Sequence, residues 1–167
     1  TSEKDGYNHI YHYSKEGKLI NQITKGNWEV TNYYGFNEKK GTIYYQSVEN
    51  GSINRDIYSV NINGKGKKRL SSKTGTNNAT FSANFSYYIN TFSNSTTPYQ
   101  FTLNSAKTGK VIKQIKNNET VEQKLAKYEY ASKEFSTIKV NGNDLNMWMI
   151  KPKNFDPNKK YPLLMYQ

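Results

Sequence analysis

Three Gly-Lys pairs, Gly17-Lys18, Gly64-Lys65 and Gly109-Lys110, each follow a short strand-like run. The runs are Ile10-Tyr11-His12-Tyr13, Ile57-Tyr58-Ser59-Val60 and Tyr99-Gln100-Phe101-Thr102-Leu103, so the motif recurs after 47 and then 45 residues. A second feature keeps the same beat. Phe36-Asn37, which precedes a turn and Ile43-Tyr44-Tyr45, is matched 45 residues later by Phe81-Ser82, which precedes a turn and Tyr87-Tyr88-Ile89. Each unit therefore holds about four strands, an inner pair followed by an outer hairpin closed at the Gly-Lys turn. Four antiparallel strands per ~40 to 50 residues is the signature of a β-propeller blade. The alternative is a plain antiparallel sandwich with evenly spaced hairpins, and two coincident beats argue against it.

Composition fits blades better than a closed hydrophobic core. The apolar share is 34%, the mean hydropathy is -0.94, and 15 of the aromatic residues are Tyr. Blades pack face to face through aromatic and β-branched residues while their turns and outer strands stay polar. The chain has 167 residues, which is too short for a closed propeller, and no Cys, which excludes disulfides, thiolate nucleophiles and Cys-ligated metal sites. No apolar run approaches the ~18 residues of a membrane span, and the opening Thr-Ser-Glu-Lys-Asp is not a signal peptide. The net charge of +11 comes almost wholly from Lys; Arg55 and Arg69 are the only arginines. Because base and phosphate forks favour Arg, this surface reads as merely basic, and no nucleic-acid partner is expected.

After Lys116 the pattern changes. Asn118-Glu119-Thr120 introduces Val121, Leu125 and Tyr128 at helical spacing, with acidic residues early and Lys124 and Lys127 late, as a helix dipole favours. Strand alternation resumes from Phe135 to Val140, turns through Asn141-Gly142-Asn143-Asp144, and continues from Leu145 to Ile150. A polar loop from Pro152 to Lys160 leads to Tyr161-Pro162-Leu163-Leu164-Met165-Tyr166, which reads as an apolar strand of the kind buried in a sheet.

Two stretches carry more than architecture. Asp5-Gly6-Tyr7-Asn8-His9-Ile10-Tyr11, followed by Gln22-Ile23-Thr24-Lys25-Gly26-Asn27-Trp28-Glu29-Val30, closely resembles a blade-to-blade junction in the dipeptidyl-peptidase-IV-like members of the prolyl oligopeptidase family. The segment from Phe135 through Gly142 to Met149, then Pro152 and Lys159-Lys160-Tyr161-Pro162-Leu163-Leu164, resembles that family's passage from propeller into the α/β-hydrolase domain. The resemblance runs from Asp5 to Leu164. It implies an all-β fold of antiparallel β-propeller blades, part of an eight-bladed propeller, followed by a short linker helix and the first strands of an α/β-hydrolase domain. On that reading residues 1–118 are the last two and a half blades, 119–133 the linker helix, and 134–167 the truncated start of the hydrolase domain.

The activity implied is that of a serine exopeptidase releasing N-terminal dipeptides with Pro or Ala second, through a Ser-Asp-His triad. Peptides of that kind, the remainder of its own polypeptide and a second copy in a homodimer are the expected partners. No cofactor is expected, and the implied location is the periplasm or cell surface. No Gly-x-Ser-x-Gly elbow occurs in the sequence. The family's paired Glu residues belong to an earlier blade, and its oxyanion-hole Tyr is expected just past Gln167. No catalytic, cofactor-binding or metal-binding residue is therefore assigned. A non-catalytic propeller that binds a protein or glycan, and a relative that has lost its nucleophile, stay open as other readings.

The remaining candidates each have a bland reading. His9 and His12, the only histidines, point to opposite faces of an expected strand and cannot jointly grip a metal. Trp28 and Glu29 suit either a ligand site or packing of an inner strand on its neighbour. Trp148, Met147 and Met149 read as packing between domains. Five Asn-x-Ser/Thr sequons, at Asn50, Asn78, Asn84, Asn94 and Asn118, are about what chance gives in so Asn- and Ser-rich a chain.

Overall fold

The computed structural model describes residues 1–128 and 131–166, which form two compact units, Thr1–Glu122 and Gln123–Gln167. The first is built of three antiparallel sheets. A hairpin pairs β1 (Tyr11–Tyr13) with β2 (Leu19–Gln22). A four-stranded meander follows, in the order β3 (Val30–Asn37), β4 (Thr42–Ser47), β5 (Asp56–Asn61) and β6 (Lys68–Arg69). A second meander holds β7 (Thr76–Phe81), β8 (Tyr87–Ser93), β9 (Gln100–Ser105) and β10 (Val111–Lys116). The three Gly-Lys turns close β1–β2, β5–β6 and β9–β10, and the three glycines share one left-handed conformation, with φ of 81°, 79° and 78°. Both beats in the sequence are thus real structural repeats. The spacing slips to 47 residues in the first interval because β3 carries two bulges, at Val30/Asn32 and at Tyr33/Gly35, each adding a residue.

Side-chain alternation explains how the sheets stack. On β4, Ile43 and Tyr45 face one cluster with Ile10, Ile23, Val30, Tyr58 and Val60, between the first hairpin and the first meander. Tyr44, between them in sequence, faces the opposite cluster with Ile57, Leu70, Ala79, Tyr88 and Ala106, between the two meanders. The first meander is therefore buried on both faces, which a two-layer sandwich does not allow and successive propeller blades require. Aromatic rings fill the second seam: Tyr44 lies 5.2 Å from Phe85, stacked at 3°, and 4.7 Å from Phe81, which in turn lies 5.1 Å from Tyr88. Gly35 makes room for this, since a Cβ there would sit 2.6 Å from the Phe85 ring. A low apolar share suffices because tyrosine supplies the packing area; Tyr88 also satisfies its hydroxyl by donating to Leu70 O at 3.2 Å, whereas the Tyr45 hydroxyl is buried without a hydrogen-bond partner among the described residues.

Burial also sets how these tyrosines ionise. It pushes the hydroxyls of Tyr34 and Tyr88 up to about 12, and raises Tyr45 and Tyr58 too, with the Glu49 carboxylate adding to the effect. The folded state thus prefers neutral phenols more strongly than the unfolded chain, whose phenols titrate at about 10. The stability they contribute is complete below pH 10 and is lost as pH rises from there through about 12. An alkaline titration followed by tyrosinate absorbance and near-ultraviolet dichroism checks this. Tyr34, Tyr45, Tyr58 and Tyr88 should ionise only with loss of near-ultraviolet dichroism. A single transition of all tyrosines near pH 10 with the fold intact would contradict the packing described.

The helix α1 spans Glu119–Leu125, with Glu119 and Glu122 in its first turn and Lys124 in its last. The expected linker helix to residue 133 is shorter than its periodicity suggests: Tyr128 lies in a turn beyond α1, and residues 129 and 130 are outside the described set. In the second unit β11 (Glu134–Val140) pairs with β12 (Asn143–Met149) through a two-residue turn at Asn141-Gly142, both at positive φ. The expected strand from Tyr161 to Tyr166 is not formed; the segment has no regular structure, and Leu164 is 95% exposed. An apolar strand forms only where a neighbour takes its backbone N–H and C=O groups, and no described residue pairs with this one. Among the described residues no helix is long and apolar enough to cross a membrane.

Candidate functional site

The junction motif folds around His9. The ring is fully buried, with Nδ1 3.1 Å from Thr24 Oγ1 and Nε2 3.0 Å from Gly26 O. A carbonyl only accepts, so Nε2 carries a proton, and in the neutral ring Nδ1 accepts a hydrogen bond from the Thr24 hydroxyl. Thr24 Oγ1 accepts in turn from Ile10 N at 2.9 Å. Both ring nitrogens are thus spent on holding β1 against the chain leaving β2. His12, on β1, is apart from this network.

Trp28 closes the motif. Its indole meets the His9 ring edge-on at 4.9 Å and lies parallel to Tyr45 at 6.4 Å. Gly26 is held to glycine by this contact, since its φ is +140° and a Cβ would fall 2.3 Å from Trp28 Nε1. Trp28 therefore does pack the inner strand, and it also walls a cavity of about 440 Å³ together with Tyr7, Glu29, Glu49 and Arg55. Both sequence readings of Trp28 and Glu29 apply at once. Lys67 sits 5.4 Å over the Trp28 ring and pairs with Glu49, so one of the two carboxylates at the cavity is neutralised within the chain.

Sequence reasoning passed over Glu49, Arg55 and a buried cluster around Asp56. Asp56 Oδ1 accepts from Arg69 Nη2 at 2.8 Å, Ser71 Oγ at 2.6 Å and Asn77 Nδ2 at 3.4 Å, and Asn50 Nδ2 donates to Oδ2 at 3.3 Å. The cluster is the repeat of the His9 motif one blade on. Asp56-Ile57 stands where His9-Ile10 does, and Ser71 stands where Thr24 does, taking Ile57 N at 3.2 Å. Aligning the units on their Gly-Lys turns would have revealed it. In the second unit, Trp148 is half-exposed on β12, with Lys133 Nζ 4.5 Å over its ring. Among the described residues no group of three or more His, Asp or Glu is placed to hold a metal ion.

Two stacked four-stranded antiparallel sheets, with a hairpin packed on the first of them through the His9–Trp28 junction, define a stretch of β-propeller. Residues 1–99 match the family described as the dipeptidyl peptidase IV (DPP IV) N-terminal region, and the chain belongs to that family. It is 34% identical over 166 residues to dipeptidyl peptidase 4 of Trichophyton rubrum, covering 98% of this chain and 21% of that protein. The crystal structure of Porphyromonas gingivalis dipeptidyl peptidase 4 matches with a TM-score of 0.91 and 42% identity, over 96% of this chain and 23% of that one. A putative dipeptidyl aminopeptidase IV from Bacteroides ovatus matches with a TM-score of 0.78 and 30% identity, over 96% of this chain and 25% of that one. The chain thus spans about a fifth of the length of the curated relatives it matches.

Proposed function

We propose that the protein carrying this chain is a serine-type exopeptidase that releases N-terminal dipeptides, with Pro or Ala second, from peptides. Residues 1–118 contribute two and a half consecutive blades of its eight-bladed propeller, 119–133 the linker, and 134–167 the first strands of its α/β-hydrolase domain. The observation that supports this most is the likeness to dipeptidyl peptidase 4 over both units, at 42% identity and a TM-score of 0.91. The triad belongs to the hydrolase domain, and the nucleophile elbow is not in this sequence. The role of the segment is then positional. Rigid stacked blades wall the chamber in front of the triad, so that slender peptide ends enter and folded proteins do not. The enzyme acts as a homodimer at the cell surface or in the periplasm.

The full-length protein should cleave a Gly-Pro chromogenic amide. It should leave the same amide untouched once the glycine nitrogen is acetylated, because an exopeptidase of this kind grips the free ammonium. Absence of cleavage by well-folded protein would contradict the reading and favour a relative that has lost its nucleophile. Cleavage of the acetylated amide at the same rate would contradict the exopeptidase specificity.

A further inference from the structure

We propose that the cavity between Glu29 and Arg55 binds a short zwitterionic peptide, a dipeptide with free amino and carboxyl ends, lying against Trp28 and Tyr7. The sheet register puts the two charges on one rung. Val30 pairs with Ser47, and Ser47 with Asp56. One step outward, Val48 N donates to Glu29 O at 3.1 Å, and Arg55 takes the next place on β4's other side. Residues on one rung of a sheet project to the same face, and Glu29, Val48 and Arg55 do line one cavity. Two inter-strand spacings separate the Glu29 and Arg55 backbones, about 9–10 Å. The two side chains project to one face from that distance, so a dipeptide, at most ~7 Å long, spans them when it lies across the cavity they line.

The chemistry of the two ends differs in the right sense. Neither Glu29 nor Arg55 has an ion-pair partner among the described residues, whereas Glu49 beside them is taken by Lys67. Arg55 is also held in place. Its Nη1 donates to Ser52 O and Asn54 O, both at 2.9 Å, its backbone N donates to Gly75 O at 2.9 Å, and its carbonyl accepts from Asn77 N at 2.9 Å. The rest of the fork has no acceptor among the described residues and suits a carboxylate, which binds arginine through two parallel N–H groups. Only two of the 24 basic residues are Arg; Arg69 serves the buried Asp56, and Arg55 is the one placed at a cavity. The loop that presents it is shaped for the purpose by Gly51, at φ +108°, with Gly51 N bonded to Val48 O at 3.0 Å and Asn54 N to Gly51 O at 2.9 Å. Exposed Glu29 takes the ammonium, and the indole and phenol walls take an apolar side chain. The site is independent of the triad and does not rest on the peptidase reading.

Calorimetric titration of the 167-residue chain with Gly-Leu, N-acetyl-Gly-Leu and Gly-Leu amide tests this. Gly-Leu should bind with a Kd of about 1 mM or tighter, and blocking either end should weaken binding at least about tenfold. Glu29→Gln should weaken Gly-Leu to the level of its acetylated form without affecting that form. Arg55→Gln should do the same toward the amide, with Arg55→Lys losing less. Because Arg55 also clips its loop, Glu29→Gln, at an exposed position, decides the matter if the Arg55 variants misfold. Equal binding of all three ligands, dependence on one end alone, or no binding up to about 10 mM would overturn the proposal.

Discussion

Replacing Asp56 with Ala should destabilise the chain by about 2–4 kcal/mol, because the donors that converge on this buried carboxylate lose their acceptor, while the partly exposed Arg69 regains some hydration. Asp56 is 1% exposed and collects hydrogen bonds from four side chains: Arg69 on β6, Ser71 just past it, Asn77 on β7 and Asn50 in the loop between β4 and β5. Its removal strands the Arg69 guanidinium, whose Nε is already buried without a hydrogen-bond partner. It also frees Ser71 and Asn77, which tie the end of the first meander to the start of the second. A Met at position 69 in the same chain should restore part of the loss, because it takes away the stranded charge while keeping the volume of the stem. Urea unfolding at neutral pH reads both numbers. A loss below about 1 kcal/mol for Asp56→Ala, or a double variant no better than the single one, would mean that the cluster does not join the blades.

The blade architecture was legible in the sequence because its repeat rests on residues with a backbone reason to recur. Gly17, Gly64 and Gly109 each take a left-handed turn that β-branched or aromatic residues avoid, and Phe36 and Phe81 each pack into the seam of their own blade. The Asn141-Gly142 hairpin was legible for the same reason, since its turn type admits few other pairs. The strand expected at Tyr161–Tyr166 is unformed because apolar content signals only the capacity to pair, while a strand exists only where a partner's backbone is present. The linker helix was overextended because the spacing of Val121, Leu125 and Tyr128 does not show where a short helix frays.

At the candidate site the sequence showed half of the arrangement. Trp28 and Glu29 were visible within a local motif. Glu49 and Arg55 come from the far side of a strand pair, where only register joins them to Glu29, and no local pattern marks them. Asp56 escaped notice because the repeat replaces His9 with a residue of different chemistry while keeping the position, the hydroxyl partner and the backbone bond. Substitution of that kind preserves geometry and hides from composition.

The stacking of successive blades can be tested through the three Gly-Lys turns, each changed to Ala in the 167-residue chain. All three glycines have nearly the same φ, so the backbone strain of the substitution is common to them, about 1–2 kcal/mol. Their surroundings differ. Nothing lies within 4 Å of a Cβ at Gly17; at Gly64 it would meet Ile23 O at 3.3 Å, and at Gly109 it would meet Leu70 O at 2.4 Å and Leu70 Cα at 3.0 Å. Ile23 and Leu70 occupy equivalent places just past the outer strands β2 and β6, so each later turn rests on the blade before it. Backbone cannot swing aside as a side chain can, and the collision at Gly109 adds about 1–3 kcal/mol to the strain. Unfolding free energies should therefore fall least for Gly17→Ala, more for Gly64→Ala, and most, by about 2–5 kcal/mol, for Gly109→Ala. Equal losses at the three turns would contradict the stacking of one blade on the next.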